Sequence, residues 1–314
     1  SGTLSKRKHV YEYDIDLTSD VAPARVIRMV KPGSKVLEIG AGPGSITRHL
    51  IGTLGCDTVA LEVDPSAIEL LRTYVPRVYA SDLNDPNWTE EIRNENGLFD
   101  YVIAADVLEH VYNPWQVLEG MTSLLAEGGA IILSVPHVGH ASVAACLVDE
   151  DFEYWPWGLL DRTHIRFFGV KNVQSLINGA GLAIEDAQFV VRTPEMTEFA
   201  ARWKRMPADV QAALQRNRYS HVLQVVTCSR KSVDGATGID LMTLTPEAPD
   251  AATVKYWTET MAYQVNQRET DLRSPLEPPT SLTKAMVAPA RKTDETQLQK
   301  TVRRAKRQIA RIFS

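Results

Sequence analysis

The chain has 314 residues and is 44% hydrophobic, 23% charged and 7% aromatic, which excludes collagen-like, mucin-like and wholly disordered chains and leaves room for about two domains. Its net charge of −5, from 34 Lys and Arg against 39 Asp and Glu, excludes nucleic-acid binding by overall charge; a local basic patch would be needed. Cys56, Cys146 and Cys228 are scattered, which fits neither a disulfide framework nor a zinc motif.

In chain order, KVLEIG (35–40) is a short apolar run closed by glycine, a predicted strand. SITRHLIGTL (45–54) has helical spacing, and TVALEVD (58–64) is a second strand. PSAIELLRTYV (65–75) is a helix with Pro65 in its first turn and Ile68, Leu71 and Val75 on one face. RVYASDL (77–83) and FDYVIAADV (99–107) are the third and fourth strands. PWQVLEGMTSLL (114–125) is a helix with Gly128–Gly129 as its stop signal, followed by a fifth strand, AIILSVP (130–136). VKNVQSLINGAGL (170–182) is a further helix. AIEDAQFVVR (183–192) and SHVLQVVTCSRK (220–231) are the last strands, with a helical insertion between them and an antiparallel pairing expected at the sheet edge. The first five strands are nearly continuous apolar runs, as strands covered by helices on both faces must be. The fold class is therefore α/β, a doubly wound, mostly parallel sheet. The N-terminal stretch shows no apolar signal-peptide region, and no apolar run approaches the ~18 residues of a membrane span, so a cytoplasmic location is expected.

VLEIGAGPGS is the most informative string. A strand runs into Gly40-x-Gly42-x-Gly44 and a helix follows, so the backbone is open to a ligand at the carboxyl end of the first strand. Dinucleotide sites carry G-x-G-x-x-G, whereas Ser45 stands here at the third glycine position. Glu38 precedes the loop; a carboxylate there repels a pyrophosphate and suits an ammonium group. Glu62 ends the second strand, 22 residues after Gly40, where an acid can accept both hydroxyls of a ribose. Asp82 follows the third strand and can accept from the amine of adenine, with Leu83 packing on the ring. A glycine turn alone is also an ordinary strand-to-helix turn, and Glu62 or Asp82 alone is also a helix cap. Together and in order they ask for a ribose, an adenine and a cationic amino-acid end, and no phosphate. S-adenosylmethionine meets that description.

With VLEIGAGPGS, ALEVDPSA, ASDL, FDYVIAADVLEHVYNPWQVL and LLAEGGAIILSVP, the sequence resembles the class I S-adenosylmethionine-dependent methyltransferases. GLLDRTHIRFFGVKNVQSLINGAGL also resembles a stretch in relatives that O-methylate sugars, O-antigen-type glycans and quinone precursors. The resemblance covers roughly residues 18–232. It implies a Rossmann-like methyltransferase fold of seven strands with the last antiparallel. It also implies that Glu38, Gly40, Gly42 and Gly44 contact the methionine end, that Glu62 holds the ribose and Asp82 the adenine, and that Ala105 and Asp106 line the cofactor pocket.

Methyl transfer to a hydroxyl requires alignment, exclusion of water and removal of a proton. The segment after the fifth strand holds His137, His140 and His164 among Phe152, Tyr154, Trp155, Trp157, Phe167 and Phe168. His137 or His164 is the expected general base, oriented with substrate by Asp161 and Arg162, under an aromatic lid. Asp106, Glu109 and His110 share one helical face, a metal-ligand spacing, but methyl transfer needs no metal and none is expected. Tyr11 and Tyr13 either close over the cofactor or are packing residues.

The expected division is an N-terminal arm (1–17), a methyltransferase domain (18–232), a polar extension with a Pro-rich linker (233–290) and a basic amphipathic helix (291–314). That last segment carries eight Lys and Arg against two acids, with Leu298, Val302, Ala305, Ile309 and Ile312 at helical spacing. It suits an anionic membrane surface at the inner face or a protein partner, and equally its own domain; nucleic acid is disfavoured because Phe313 is its one aromatic. The expected activity is O-methylation of a small-molecule or glycan acceptor, with a sugar or glycan hydroxyl, lipid-linked if the tail meets membrane, as first choice. The rivals are a quinone-type phenol or small natural product, and a non-catalytic cofactor-binding scaffold in glycan assembly. A nicotinamide-dependent dehydrogenase is a weaker rival, opposed by Glu38 and the glycine spacing.

Overall fold

The computed structural model describes residues 14–273, and the backbone alone over 264–273. Its elements in chain order are α1 (Ala22–Arg28), β1 (Lys35–Ile39), α2 (Ser45–Gly52), β2 (Asp57–Leu61), α3 (Pro65–Leu71), β3 (Arg77–Tyr79), α4 (Glu90–Asn96), β4 (Phe99–Ala105), α5 (Pro114–Ser123), β5 (Leu125–Pro136), α6 (Ala141–Val148), α7 (Val170–Gly179), β6 (Leu182–Val191), α8 (Ala200–Arg205), α9 (Ala208–Leu214), β7 (Val222–Lys231) and α10 (Ala251–Arg273). The strands form one sheet in the order β3-β2-β1-β4-β5-β7-β6. β1 to β5 pair in parallel, and β7 runs antiparallel to both β5 and β6. This is the Rossmann-like methyltransferase sheet that the alternation and the resemblance imply.

Side chains alternate across the sheet, so each central strand feeds two cores. Leu37, Ile39, Val102, Ala104, Ile131 and Leu133 lie in one, and Val36, Tyr101, Ile103, Ala130 and Ile132 in the other. The strands read as continuous apolar runs because both faces are covered by helices. Local sequence fixes where those helices begin. Asp64 caps α3 by accepting from the Ser66 amide at 2.9 Å, and Asn113 caps α5 by accepting from the Gln116 amide at 3.1 Å, each directly before a proline.

Three expectations shift. β5 begins at Leu125, ahead of the glycines read as a helix stop; Leu125 pairs with Phe99 and Ala130 with Tyr101, so residues 126–129 bulge out, with Gly128 at φ +69°. α6 forms inside the segment read as a substrate loop. α10 forms inside the polar extension, where the buried Trp257, Thr260 and Met261 are too few to give a clear helical pattern. The packed body therefore runs on past residue 232, and Leu241 and Trp257 join the two cores. Tyr11, Tyr13, the Pro-rich linker (274–290) and the basic segment (291–314) lie outside the described residues. Among the described residues no helix is long and apolar enough to cross a membrane.

α6 is tied to the end of β6 by His140. Its Nδ1 accepts from the Ser142 amide at 3.1 Å and its Nε2–H donates to the Arg192 carbonyl at 2.7 Å. Burial pushes its pKa from 6.5 down to about 3. The unfolded chain therefore takes up this proton first as pH falls. The stability held by the neutral ring is full above pH 6.5 and is lost progressively toward pH 3. At pH 5 the loss is about 2 kcal/mol. Urea denaturation at pH 7 and pH 5 is expected to show a loss smaller by about that amount in His140→Asn, which keeps the cap but does not titrate. Equal losses in both proteins would remove His140 as the linked group.

Candidate active site

The chain leaves β1 through three glycines in left-handed conformation, Gly40 (φ +62°), Gly42 (φ +55°) and Gly44 (φ +89°). A Cβ at Gly40 would lie 2.5 Å from a methyl of Val107, so only glycine lets the ends of β1 and β4 approach this closely. β1 and β4 are neighbours that lead to opposite halves of the sheet, the switch point where open α/β sheets bind ligands. A cavity of about 460 Å³ lies there. Its walls are the glycine loop, Glu62 to Asp64, Asp82 to Asn84, Ala105 to Val107, and His110, Val111 and Thr163.

Glu62 organises the loop. Its carboxylate accepts from the amides of Gly42 at 2.6 Å, Val63 at 2.7 Å and Asp64 at 2.9 Å. Three of about four acceptor directions are thereby filled, which holds the group rigid at the mouth with capacity left for a ribose. The Gly42 amide, which a phosphate-binding loop would turn to its ligand, is already used. Asp82 accepts from the backbone and side-chain nitrogens of Asn84 at 2.9 and 3.1 Å, and Leu83 packs against the core beside it. Asp106 sits at φ +54°, a conformation aspartate tolerates better than most side chains, and both its oxygens accept from Gln224 Nε2 at 3.0 and 2.9 Å.

The lining thus carries four carboxylates, Glu62, Asp64, Asp82 and Asp106, and no Lys or Arg among the described residues. Such a pocket attracts a cation, and its described walls offer no cationic side chain to neutralise a pyrophosphate. A nucleoside with a cationic amino-acid end fits it.

Of the residues singled out from sequence, Gly40, Gly42, Glu62, Asp82, Leu83, Ala105 and Asp106 line this cavity. Glu38 and Gly44 do not. Glu38 is buried and accepts from Thr47 Oγ1 at 2.5 Å, joining β1 to α2, while Gly44 caps α2 where a Cβ would strike the Tyr74 hydroxyl. His137, Asp161 and His164 are buried outside the lining. His137 Nδ1–H donates to the Val222 carbonyl at 2.8 Å, and burial lowers its pKa. Asp161 accepts from the Thr163 amide and hydroxyl at 2.8 and 2.7 Å, and so reaches the cavity through Thr163. Thr163 lies within the string GLLDRTHIRFF but was not singled out there, and Gln224 carries no motif; the one signal for Gln224 was a polar residue inside the apolar run VLQVV.

The aromatic segment divides. Trp155 and Phe168 are buried, while Phe152 packs edge-on to Tyr154 and Phe167 at 5.2 and 5.9 Å, and those two rings are exposed.

A doubly wound sheet with an acid-lined crevice at its switch point is a frame for binding a cationic nucleoside. The methyltransferase-domain family matches residues 11–187, more than half of the chain, and the chain belongs to that family. The cofactor of such proteins, S-adenosylmethionine, is the ligand this lining fits. Similar proteins include the ubiquinone biosynthesis O-methyltransferase of Xanthomonas campestris pv. campestris (strain B100), 26% identical over 126 residues, which is 40% of this chain and 52% of that protein. The protein of the same description from Xanthomonas axonopodis pv. citri (strain 306) is 26% identical over 170 residues, 53% of this chain and 70% of its own length. The chain thus spans about half the length of the first of these relatives. Among solved structures, an SAM-dependent methyltransferase from Archaeoglobus fulgidus is similar at 15% identity over 67% of this chain and 92% of its own, with a TM-score of 0.47. Another is 1,6-didemethyltoxoflavin-N1-methyltransferase of Burkholderia thailandensis, solved with 1,6-didemethyltoxoflavin and S-adenosylhomocysteine, at 17% identity over 69% and 80% of the two chains and a TM-score of 0.43.

Proposed function

We propose that the chain is an S-adenosylmethionine-dependent O-methyltransferase whose acceptor is a ring hydroxyl. The observation that carries this reading is the cavity at the switch point with four carboxylates and no Lys or Arg on its described walls. When bound, S-adenosylmethionine supplies a methyl carbon activated by its sulfonium, which the acceptor oxygen takes as the S–C bond breaks. Glu62 holds the ribose and Asp82 the adenine amine. Asp106, steadied by Gln224, and the glycine loop receive the amino-acid end. The acceptor approaches from the wall of His110 and Thr163, where an imidazole is in reach to take the hydroxyl proton.

A sugar hydroxyl is the first choice of acceptor. What supports it is the exposed row of Tyr154 and Phe167 around Phe152, since aromatic faces cover the apolar faces of sugars. A quinone-type phenol is the second reading, supported by the relatives described as ubiquinone biosynthesis O-methyltransferases. The basic segment 291–314 is proposed to bring the chain to an anionic surface or a partner. Production of S-adenosylhomocysteine is to be measured against glycan, sugar-nucleotide and polyhydroxybenzoate acceptors. Turnover on saccharides alone supports the first reading, turnover on phenols alone the second, and cofactor binding with no turnover on any hydroxyl would overturn both.

A further inference from the structure

The segment between α6 and α7 carries the wall assigned to the acceptor, and two charged side chains from one place in the fold hold it: Glu198, just before α8, and Arg202 within α8. Both are buried, and neither lines the cavity. The Arg202 guanidinium donates to the carboxylates of Asp149, Asp151 and, at 2.9 Å, Glu153, where the segment leaves α6. Three acids so close in sequence repel one another, and the guanidinium between them draws that end of the segment onto α8. Glu198 Oε1 accepts from the Leu159 amide at 2.8 Å, and its Oε2 is buried with no hydrogen-bond partner among the described residues. The carboxylate reaches the backbone there because Gly158, at φ +97°, has no Cβ; one would collide with Oε1. Between the two anchors, Trp155 packs edge-on to Phe199, the neighbour of Glu198, with ring centres 6.2 Å apart. Hydrogen bonds carry the second anchor on to the cavity. The Trp155 amide donates to the Leu160 carbonyl and the Arg162 amide to the Trp155 carbonyl, both at 2.9 Å, which closes residues 155–162 into a loop. Asp161 in that loop accepts from the amide and hydroxyl of Thr163, and Thr163 lines the cavity.

We propose that Glu198 and Arg202 are positioning residues for methyl transfer: from α8 they clamp the two ends of the aromatic segment 149–161, and through Thr163 they set the acceptor against the cofactor. Their purpose rests on the methyltransferase reading, since in-line transfer needs the acceptor oxygen aligned with the S–CH₃ axis, and a misplacement of about 1 Å can cost ~100-fold in rate. The residues proposed to hold the cofactor, Glu62, Asp82 and Asp106, follow β2, β3 and β4 and make none of these contacts with α8. Loosening the clamp therefore acts on the acceptor and spares the cofactor. Burial, with the charge of Glu153 adding to it, pushes the Glu198 carboxyl up to about 7, so an uncharged side chain of the same shape is at home there. Glutamine keeps an oxygen for the Leu159 amide and alanine does not.

The test measures kcat/KM for the acceptor and Kd for S-adenosylmethionine in the full chain and its variants, with hydrogen exchange over residues 155–164. The acceptor probe is the saccharide or polyhydroxybenzoate that the wild type turns over fastest. Glu198→Ala is expected to lower acceptor kcat/KM by about 100-fold, with the cofactor Kd within about 2-fold of wild type. Glu198→Gln should stay within about 3-fold of wild type on both. Arg202→Lys keeps the charge but cannot span three carboxylates, and should lose about 10-fold on the acceptor alone; it decides the matter if Glu198→Ala fails to fold. Exchange at residues 155–164 should quicken in Glu198→Ala and Arg202→Lys. Wild-type acceptor kcat/KM in a folded Glu198→Ala or in Arg202→Lys, acceptor and cofactor constants weakened alike, or Glu198→Gln falling as far as Glu198→Ala, would each overturn the clamp while the methyltransferase reading stands. A wild type that binds no S-adenosylmethionine, or binds it and methylates no hydroxyl, would overturn that reading and the clamp with it.

Discussion

Replacing Glu62 with alanine is expected to weaken S-adenosylmethionine binding by about 100-fold, or ~3 kcal/mol. Two effects add. The ribose hydroxyls lose a charged acceptor, and hydrogen bonds to charged groups are each worth about 1.5–3 kcal/mol. The amides of Gly42, Val63 and Asp64 also lose the oxygens that fix them, so the glycine loop is no longer held in its bound shape. Glu62→Gln keeps one carbonyl acceptor and should fall between the two. Calorimetry on the three proteins checks this; alanine and wild type binding alike would take Glu62 out of the ribose site.

The largest effect on stability is expected at Arg192. Its guanidinium is buried, pairs with both oxygens of Asp20 at 2.7 and 2.8 Å, and lies 5.0 Å from the ring centre of Trp257 in α10. Its carbonyl receives the His140 bond as well. One side chain thus joins the end of β6, the approach to α1, and α10. Breaking a buried pair costs about 3–5 kcal/mol; Asp20 is 27% exposed, so the lower end applies to Arg192→Met. Urea denaturation should show a loss of about 3 kcal/mol, and melting a fall of about 6–12 °C. Asp20→Asn should cost less, because its amide oxygen can still accept from the buried guanidinium. A loss under about 1 kcal/mol in Arg192→Met would reduce this contact to an ordinary surface pair.

Much of the sheet was legible because a strand covered on both faces has to be apolar throughout, as in KVLEIG and AIILSVP. The cofactor end was legible because glycine conformation and acid placement are local properties, set within a few residues of a strand end. The acceptor end was not, since it depends on which distant segments meet. Gln224 reaches Asp106 across 118 positions of sequence, and His164 meets Glu109 only after the chain has passed through β5 and α6. Histidine chemistry was expected after the fifth strand, but a histidine's neighbours decide its use. His140 serves as a helix cap and His137 donates to a backbone carbonyl, whereas His164 faces a carboxylate. α10 stayed hidden because a few buried side chains in a long polar stretch leave almost no periodic signal.

Titration calorimetry of the full chain with S-adenosylmethionine and S-adenosylhomocysteine, set beside NAD and ATP, tests the acid-lined pocket most directly. One equivalent of each sulfur nucleoside should bind and neither phosphorylated nucleotide should compete. Tight binding of NAD or ATP, with no heat from either sulfur compound, would contradict it.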